Sequence, residues 1–353
     1  MEALKVAIKE YLKHKIRKNN INVEKIKEIP GGYLSKAYKV EVKIGKNKKN
    51  FFIKQSISQS HGYERNEDKL ASYLTSQRIT DLVGNNPKSI GCFIMGSDNK
   101  IKPIEPLDDK ENVFQVQEFK EGRSYLKFLH KPKKNSNLNK KDKKEIEKIV
   151  NLLVKVHKTD IKIEDEETKR MLFKRTLRDI IGHPELTLTV FKNNLKDCKV
   201  FKGKFRYNYI SEMIKVIGHF EEYYDRIAVI HGDFWPANIL FDKDEKPFFI
   251  DYSRLCYGDP GIDVGDLYAY FIWLAIYKEN RYYKKLADYF LRWYILKTGD
   301  KFIMNTAVTY MGFTCAVSLI EGFYPDATHA MRKKFANYVY NCLKKRKIQK
   351  MHF

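Results

Sequence analysis

The first 119 residues alternate between apolar and polar side chains at the spacing of β-strands. Apolar residues at 38, 40, 42 and 44 alternate with charged residues at 39, 41 and 43, which predicts a strand with one buried face. Similar short segments, separated by turns rich in glycine or lysine, predict strands at 21–29, 37–44, 50–56, 89–96 and 113–118. Helical spacing is expected from residue 1 to about 20 and around 65–76. This part of the chain is therefore expected to form a small, β-rich domain.

The remaining residues, 120–353, have mainly the pattern of helices. A lysine- and asparagine-rich segment at 131–144 predicts a loop or an irregular helix start. After it, one apolar helix face is formed by Ile146, Ile149, Val150, Leu153 and His157. Residues 161–227 are expected to be mostly helical with loops, and 264–347 strongly helical. We predict an α+β fold of two domains, a β-rich one at 1–119 and a larger helical one at 120–353.

The charge of the chain favours anionic ligands. The sequence has 67 Lys and Arg against 44 Asp and Glu, a formal net charge of +23. Such a surface attracts nucleotides, phosphorylated metabolites or nucleic acid. A solvated lysine-rich surface without a partner is an equally good reading of the composition.

Cysteine usage and hydropathy predict a soluble, cytoplasmic protein. The five cysteines are scattered without a CxxC pair, so that neither a disulfide framework nor a zinc site is expected. The first 16 residues are charged throughout, unlike a signal peptide. The longest uncharged runs, 267–277 and 302–320, are too short or too polar to predict a membrane span.

The strongest chemical signal lies between His231 and Leu267. Asp233 precedes Asn238 by five residues, and an apolar segment at 247–250 leads directly into Asp251. An acid, an amide and a second acid across a strand–turn–strand spacer suit phosphoryl transfer from a metal-bound nucleotide. One carboxylate orients or deprotonates the attacking hydroxyl, while the amide and the other carboxylate hold Mg²⁺.

With these residues the chain resembles the aminoglycoside phosphotransferase and choline kinase family. The resemblance implies a bilobal protein-kinase-like fold and the use of ATP and Mg²⁺. It implies that Asp233 is the catalytic base, that Asn238 and Asp251 are metal ligands, and that His231 braces the catalytic loop, residues 231–238. Protein kinases have Phe-Gly after the second aspartate, whereas this chain has Tyr252-Ser253. That departure leaves the metal role in place.

The resemblance also implies residues that hold the nucleotide phosphates. Gly31, Gly32 and Ser35 lie between two predicted strands, where glycines let backbone N–H groups approach phosphates. Lys54 ends the apolar stretch 51–53 and matches the strand lysine that grips the phosphates. Taken alone, the glycines indicate only a hairpin turn. The assignment of the glycines and that of Lys54 both depend on where these residues lie in the chain.

Two further parts of the nucleotide site are expected from the same resemblance. Glu67, on a predicted helix, is the expected partner of the phosphate-binding lysine, with Glu64 as the alternative. Residues 113–122 match the hinge that holds adenine through main-chain groups, here of Gln117, Glu118 and Phe119. The alternative for the hinge segment is a plain edge strand.

The segment 258–267 contributes three more aspartates, for which mainly structural roles are expected. The resemblance implies that Asp263 holds the catalytic loop through its backbone and opens a helix, whose start the acids of this segment would stabilise. The alternative is that one of Asp259, Asp263 and Asp266 touches substrate or metal. Trp235, inside the catalytic loop, is expected to be a buried aromatic residue, with stacking on a substrate as the alternative.

The acceptor of the phosphate stays open at the level of sequence. Only 12 positions separate Asp251 from Asp263, too few for the long activation segment of a protein kinase. A small-molecule alcohol, such as a sugar or amino alcohol, is the leading prediction. Polycationic aminoglycosides are disfavoured by the net charge. The alternatives are an RNA hydroxyl, favoured by the charge, and a non-catalytic nucleotide-binding module. Oligomeric state is left undetermined.

Overall fold

The chain divides into two compact units, Met1–Glu121 and Gly122–Phe353. They are seen in a computed structural model that describes residues 2–29, 35–57, 66–83, 87–96, 98–102, 112–129, 132–161, 163, 165–177, 190–191, 195, 198–220, 222–252 and 257–351. Among the helices in these ranges, none is both long and apolar enough to cross a membrane.

The first unit is built on a six-stranded sheet in the order β1-β2-β3-β6-β4-β5. Every neighbouring pair of strands is antiparallel. Its elements in chain order are α1 (Glu2–Ile16), β1 (Ile21–Ile29), β2 (Ser35–Ile44), β3 (Asn47–Ser56), α2 (Asn66–Leu82), β4 (Ser89–Met95), β5 (Ile101–Lys102) and β6 (Asn112–Glu118). The predicted strands are thus confirmed, and the predicted helix over 65–76 continues to Leu82.

One face of this sheet forms the main core of the unit. The alternating residues of β2 put Val40, Val42 and Ile44 on that face, where α1 covers them with Leu4, Ile8 and other apolar side chains. A two-residue turn joins β2 to β3, and Gly45 in it has φ of 61°, a left-handed conformation that suits glycine. The amphipathic α1 is therefore part of the fold of the first unit.

The other face of the sheet packs against α2 and is partly polar. A small apolar cluster there consists of Leu70, Tyr73, Ile94 and Val113. Lys54 lies directly opposite Gln115 in the β3–β6 register, so the two side chains share a face. Towards the C-terminal end of β6, apolar packing gives way to buried polar groups.

The second unit contains one large helical assembly and two small sheets. The sheets have the orders β10-β9-β7 and β11-β8. The elements are β7 (Arg123–Ser124), α3 (Tyr125–Phe128), α4 (Lys140–His157), α5 (Glu166–Leu177), α6 (Gly203–Phe220), β8 (Ala228–Val229), β9 (Ile239–Phe241), β10 (Pro247–Phe249), β11 (Tyr257–Gly258), α7 (Gly261–Tyr277), α8 (Arg281–Thr298), α9 (Ile303–Thr306), α10 (Val308–Ser318) and α11 (His329–Lys345).

Helix α7 is the centre of the second unit. Every residue from Gly261 to Ile276 is buried, and α8, α10 and α11 pack around the helix. At Gly265 the backbone of α7 comes so close to the chain at Ala307 that an added Cβ would lie 2.1 Å from the Ala307 carbonyl oxygen. Glycine is required there for packing, because any side chain would overlap backbone atoms.

The lysine-rich segment at 131–144 ends in a well-defined helix start. The Asn139 side chain accepts a hydrogen bond from the Asp142 N–H, and the Asp142 carboxylate accepts one from the Asn139 N–H. This capping box begins α4 at Lys140. Part of the predicted helical region 161–227 lies outside the described residues, and α5 and α6 confirm helices in the rest.

Candidate active site

A short hairpin brings Asn238 and Asp251 to the same place. Strands β9 and β10 pair with Ile239 opposite Phe249, and the Ile250 N–H donates to the Asn238 carbonyl at 3.0 Å. Asn238 directly precedes β9, and Asp251 follows shortly after β10, at the same end of the hairpin. The predicted metal residues therefore lie side by side at one end of the hairpin.

Asp233 is joined to this pair by the side chain of Asn238. The Asn238 amide Nδ2 donates to the Asp233 carbonyl at 2.8 Å and to its carboxylate Oδ2 at 3.1 Å. Because Nδ2 faces Asp233, Oδ1 is the end of the amide available to a cation. The structure thus brings all three predicted residues of the catalytic block together.

His231 ties the catalytic loop to the strand end that carries Asp251. The ring is fully buried, and its Nε2 lies 2.8 Å from the Ile250 carbonyl oxygen. Its Nδ1 accepts a hydrogen bond from the Asp233 N–H at 3.2 Å. A carbonyl can only accept, so Nε2 carries the proton and the imidazole is neutral. His231 therefore braces the loop, as the resemblance implied.

Asp251 has an unusual backbone conformation. Its φ of 63° lies in the left-handed region, where residues other than glycine are uncommon and aspartate and asparagine are among the better tolerated. Strain of this kind persists where surrounding contacts hold it, and it clusters at functional sites. The side chain is half-buried, and residues 253–256, which follow shortly after it, lie outside the described residues.

The predicted role of Asp263 in holding the catalytic loop is confirmed. Its fully buried carboxylate accepts hydrogen bonds from the His231 N–H at 2.7 Å and from the Gly232 N–H at 2.8 Å. It also lies in the first turn of α7. A second brace, Tyr310 on α10, donates its hydroxyl to the Gly232 carbonyl at 3.1 Å.

Sequence reasoning missed the residues that hold Asp263. His157, the last residue of α4, places Nε2 3.0 Å from Asp263 Oδ2 and Nδ1 2.8 Å from the Tyr294 hydroxyl. Burial, followed by the nearby carboxylates, raises the pKa of Tyr294 well above its ordinary value, so its hydroxyl remains protonated. The only sequence signal was a histidine at the end of the apolar face of α4.

The other two aspartates of the segment have structural partners. Asp259 accepts from the Gly261 N–H at 2.6 Å and pairs with Arg226, which also bonds Asp300 at 2.8 Å. Burial lowers the pKa of Arg226, but the two carboxylates outweigh it and raise that pKa above its ordinary value. Asp266 accepts from the Thr314 hydroxyl at 2.8 Å.

The predicted phosphate-binding residues belong to the first unit. Lys54 is half-buried in β3 on the face that α2 covers, and the Tyr73 hydroxyl of α2 donates to its carbonyl at 3.2 Å. Ser35 begins β2 opposite Ser56 and is buried. Gly31, Gly32 and Glu64, together with the Glu67 side chain, lie outside the described residues, so their roles stay predictions.

The predicted hinge residues end β6, and the sheet already uses two of their backbone donors. The Glu118 N–H donates to the Lys88 carbonyl at 2.9 Å, and the Phe119 N–H to the Asn50 carbonyl at 3.3 Å. The buried Gln117 side chain donates to the Ser76 hydroxyl of α2 at 3.3 Å. The backbone N–H groups of Glu118 and Phe119 are thus already bonded within the first unit.

The donor set at the hairpin fits Mg²⁺. The Asp251 carboxylate and Asn238 Oδ1 are hard oxygen ligands, and Mg²⁺ is commonly held by one or two such groups together with substrate phosphates and water. The described residues contain no cluster of three or more His, Cys, Asp or Glu suited to a metal ion. A site with one carboxylate and one amide would not form such a cluster.

The fold of the chain is similar to those of two solved structures. A thermostable aminoglycoside phosphotransferase APH(4)-Ia is 11% identical with a TM-score of 0.54, covering 94% of this chain and 98% of that one. A putative fructosamine-3-kinase from Haemophilus somnus 129PT is 11% identical with a TM-score of 0.55, covering 95% and 97%. These likenesses confirm the predicted kinase-like α+β fold.

Comparison at the level of sequence identifies the family. No curated protein matches the chain. A family model described as "Phosphotransferase enzyme family" matches residues 25–295, which include most of the six-stranded sheet, the catalytic loop and α7. Since that match covers most of the length of the chain, the chain belongs to the aminoglycoside phosphotransferase (APH) family of phosphotransferase enzymes.

Proposed function

We propose that this chain is an ATP- and Mg²⁺-dependent phosphotransferase that moves the γ-phosphate to an alcohol hydroxyl of a small molecule. One observation carries the proposal: Asp233, Asn238 and Asp251 meet at one end of the β9–β10 hairpin. Family membership supports phosphoryl transfer, and structures of APH(4)-Ia in ternary complexes with ADP or AMP-PNP and hygromycin B support a nucleotide as donor.

Asp233 is the proposed base. Its carboxylate is half-buried, and Asn238 Nδ2 donates to Oδ2. That hydrogen bond holds one oxygen of the carboxylate in place. So positioned, the carboxylate would orient the acceptor hydroxyl for in-line attack. Catalysis of this kind depends on positioning and charge stabilisation more than on covalent chemistry.

Asn238 and Asp251 are the residues proposed to hold Mg²⁺. When bound, the ion would neutralise phosphate charge and bridge the phosphate oxygens. The left-handed backbone of Asp251 and the amide orientation of Asn238 would preset their oxygens. Little rearrangement would then be needed when the nucleotide arrives.

The nucleotide-holding roles fall to the first unit. Lys54 would contact the phosphates, Glu67 would orient its ammonium group, and Gly31, Gly32 and Ser35 would cover the phosphates. Main-chain groups of Gln117, Glu118 and Phe119 would contact adenine. Support comes from the β3 position of Lys54 on the sheet face next to α2 and from its register with β6.

A small-molecule acceptor is preferred over the alternatives. The ternary complexes of APH(4)-Ia contain hygromycin B, and another fold relative is described as a putative fructosamine-3-kinase. Nothing in the comparisons favours the RNA hydroxyl, which rests on the +23 charge alone. A non-catalytic module is disfavoured because the proposed base and metal residues are all present.

The test is transfer of label from γ-labelled ATP and Mg²⁺ into a metabolite pool and, separately, into total RNA. Asp233→Asn should abolish transfer, whereas Asp244→Asn should not, because Asp244 is exposed in the turn at the opposite end of the same hairpin. Full turnover by Asp233→Asn would refute the assignment of the base. Label in RNA alone would replace the small-molecule acceptor.

Binding of the nucleotide can be tested without an acceptor. At ATP–Mg²⁺ about 100-fold above its Kd, ligand binding should stabilise the protein by about 2.7 kcal/mol. Asp251→Ala should lose most of this stabilisation, and Asp233→Asn should retain it. Equal stabilisation of wild type and Asp251→Ala would remove Asp251 from the metal site.

A further inference from the structure

The last part of the chain is strongly basic and is held in place by the second unit. Residues 327–353 contain eight Lys and Arg and no Asp or Glu. After α11 the backbone turns back at Arg346, whose φ of 49° is left-handed. The N–H of the buried Ile348 then donates to the Met304 carbonyl at 2.8 Å. The exposed basic run at 344–347 is therefore attached to folded backbone rather than to a free tail.

Helix packing places a second basic run next to the first. Residues 199–204, which lead into α6, include three exposed lysines. The ring centroids of Tyr340 in α11 and Phe205 in α6 are 5.3 Å apart, and Lys344 Nζ lies 5.7 Å from the centre of the Tyr340 ring. We name the exposed cations of the two runs the basic surface: Lys199, Lys202, Lys204 and the four residues 344–347. Cations collected in this way repel one another, and an anionic partner would relieve that repulsion.

The outward face of α6 is apolar where it adjoins the basic surface. Tyr207 is 74% exposed and Ile214 is 57% exposed, and they are two helical turns apart on the same face. The opposite face packs into the core through Tyr209 and Met213, which are both fully buried. Lys204 lies one turn before Tyr207, so an ammonium group and exposed apolar side chains share this part of the surface.

We propose that the basic surface and the outward face of α6 together bind the surface of an anionic lipid bilayer. The cations would pair with lipid phosphate groups, while Tyr207 and Ile214 would enter the boundary between headgroups and acyl chains. A single weak membrane signal gives only marginal binding, whereas an apolar signal combined with a basic one gives stable association. Membrane binding would add to the proposed phosphotransferase activity and does not depend on it.

A bilayer fits these residues better than the other partners that their charge allows. A nucleic acid would satisfy the cations through its phosphates, and Tyr207 would stack on a base, but the aliphatic side chain of Ile214 gains nothing from either contact. A second copy of this chain would bring the same positive charge, so that the two surfaces would repel each other. The boundary of an anionic bilayer accepts the cations and both apolar side chains.

Sedimentation with lipid vesicles tests the proposal on the full-length protein. Vesicles that contain phosphatidylglycerol and phosphatidylcholine should bind the protein at least about tenfold more strongly than vesicles of phosphatidylcholine alone. The difference should shrink with added salt, because the screening length falls from about 30 Å at 0.01 M to about 10 Å at 0.1 M. Equal binding to both kinds of vesicle, or binding to neither, would overturn the proposal.

Charge variants test whether the basic surface is the part that binds. Lys344→Gln combined with Lys345→Gln should weaken binding to the anionic vesicles about 30-fold, or about fivefold per cation. Lys46→Gln combined with Lys49→Gln is the matched control, since it removes the same charge from exposed positions at the β2–β3 turn of the first unit. Equal weakening by the two double variants would assign binding to net charge alone and refute the surface.

An apolar variant separates a bilayer from a nucleic acid. Ile214→Ser should weaken vesicle binding about tenfold, because its side chain would no longer be buried among the lipids. Leu296→Ser, on α8 and 68% exposed in the wild type, should leave binding unchanged. Total RNA on a filter provides the second probe. Retention of RNA without binding to vesicles, or vesicle binding that Ile214→Ser does not weaken, would contradict the bilayer as partner.

Discussion

The catalytic loop and the layer between α2 and the sheet both bury polar groups, but they treat them differently. In the loop, the carboxylate of Asp263 and both ring nitrogens of His231 have well-placed partners. In the α2 layer, Gln117 bonds Ser76, yet Gln115 Nε2 and Ser89 Oγ are buried without a hydrogen-bond partner among the residues that the structure describes. Both regions contain residues that are proposed to act on the nucleotide. The buried polar groups named in the loop all have hydrogen-bond partners, whereas two of those named in the α2 layer have none within the described part of the chain.

This difference indicates which of the two regions contributes more to the stability of the protein. A buried polar network stabilises a unique arrangement only when its members are satisfied, and an unmet donor costs about 1–3 kcal/mol. The loop is thus expected to be rigid and sensitive to any change in its braces. The α2 layer is expected to tolerate, or even gain from, replacement of its unmet polar groups.

Asp263→Asn should have the largest effect. The amide offers one acceptor oxygen to three donors and turns an N–H group towards another, and each buried donor left without a partner costs about 1–3 kcal/mol. Urea unfolding should show this loss, and phosphate transfer should fall by a factor of about 10² or more. Wild-type stability in the variant would contradict the idea that Asp263 holds the loop.

Gly265→Ala should have the next largest effect on stability, because it disturbs the packing of α7 two residues after Asp263. The new Cβ would meet the Ala307 carbonyl at 2.1 Å, and overpacking of this kind costs about 1–3 kcal/mol. Gly218→Ala in α6 is the matched control: its Cβ would meet nothing within 4 Å, and alanine should stabilise that helix by about 0.5–1 kcal/mol. Thermal melting of both variants compares the two sites.

His157→Phe should lose about 1–3 kcal/mol of unfolding free energy, since it leaves two buried groups, Asp263 Oδ2 and the Tyr294 hydroxyl, without this partner. Tyr294→Phe removes only the outer bond and should cost about 1 kcal/mol. If Tyr294→Phe were the more damaging of the two, the chain of hydrogen bonds from α8 through His157 to the loop would not be ordered as described.

Gln115→Met should have the smallest effect and the opposite sign. It removes an unmet amide from a buried site at similar volume, so stability should stay within about 1 kcal/mol of wild type or rise. Gln117→Met is the contrast, because it breaks the bond to Ser76 and should cost about 1 kcal/mol. Equal losses in both variants would remove the distinction between satisfied and unmet groups in this layer.

Local patterns predicted much of this protein. Alternation over 38–44 indicated β2, and the spacing around Ile146 indicated α4. The meeting of Asn238 with Asp251 also followed from sequence, because one short hairpin links them and its register needs only local pairing. The family follows from the same block of residues.

Other features had no local signal. His157 reaches Asp263 across 106 positions and Tyr294 across 137, and Tyr310 reaches the loop across 78. Trp235, which was expected to be buried, is half-buried and packs edge-on against Tyr270 of α7. Such contacts depend on how α4, α7, α8 and α10 pack.

The sequence by itself determined the elements, the hairpin and the chemical types at its end, since strand period, helix period and turn residues act over a few positions. Tertiary structure decided which buried groups hold the loop, which of the described polar groups in the α2 layer stay unmet, and which ring packs against Trp235. The physical reason is that hydrogen bonds between distant helices are selected by packing, and packing depends on every side chain of the core at once.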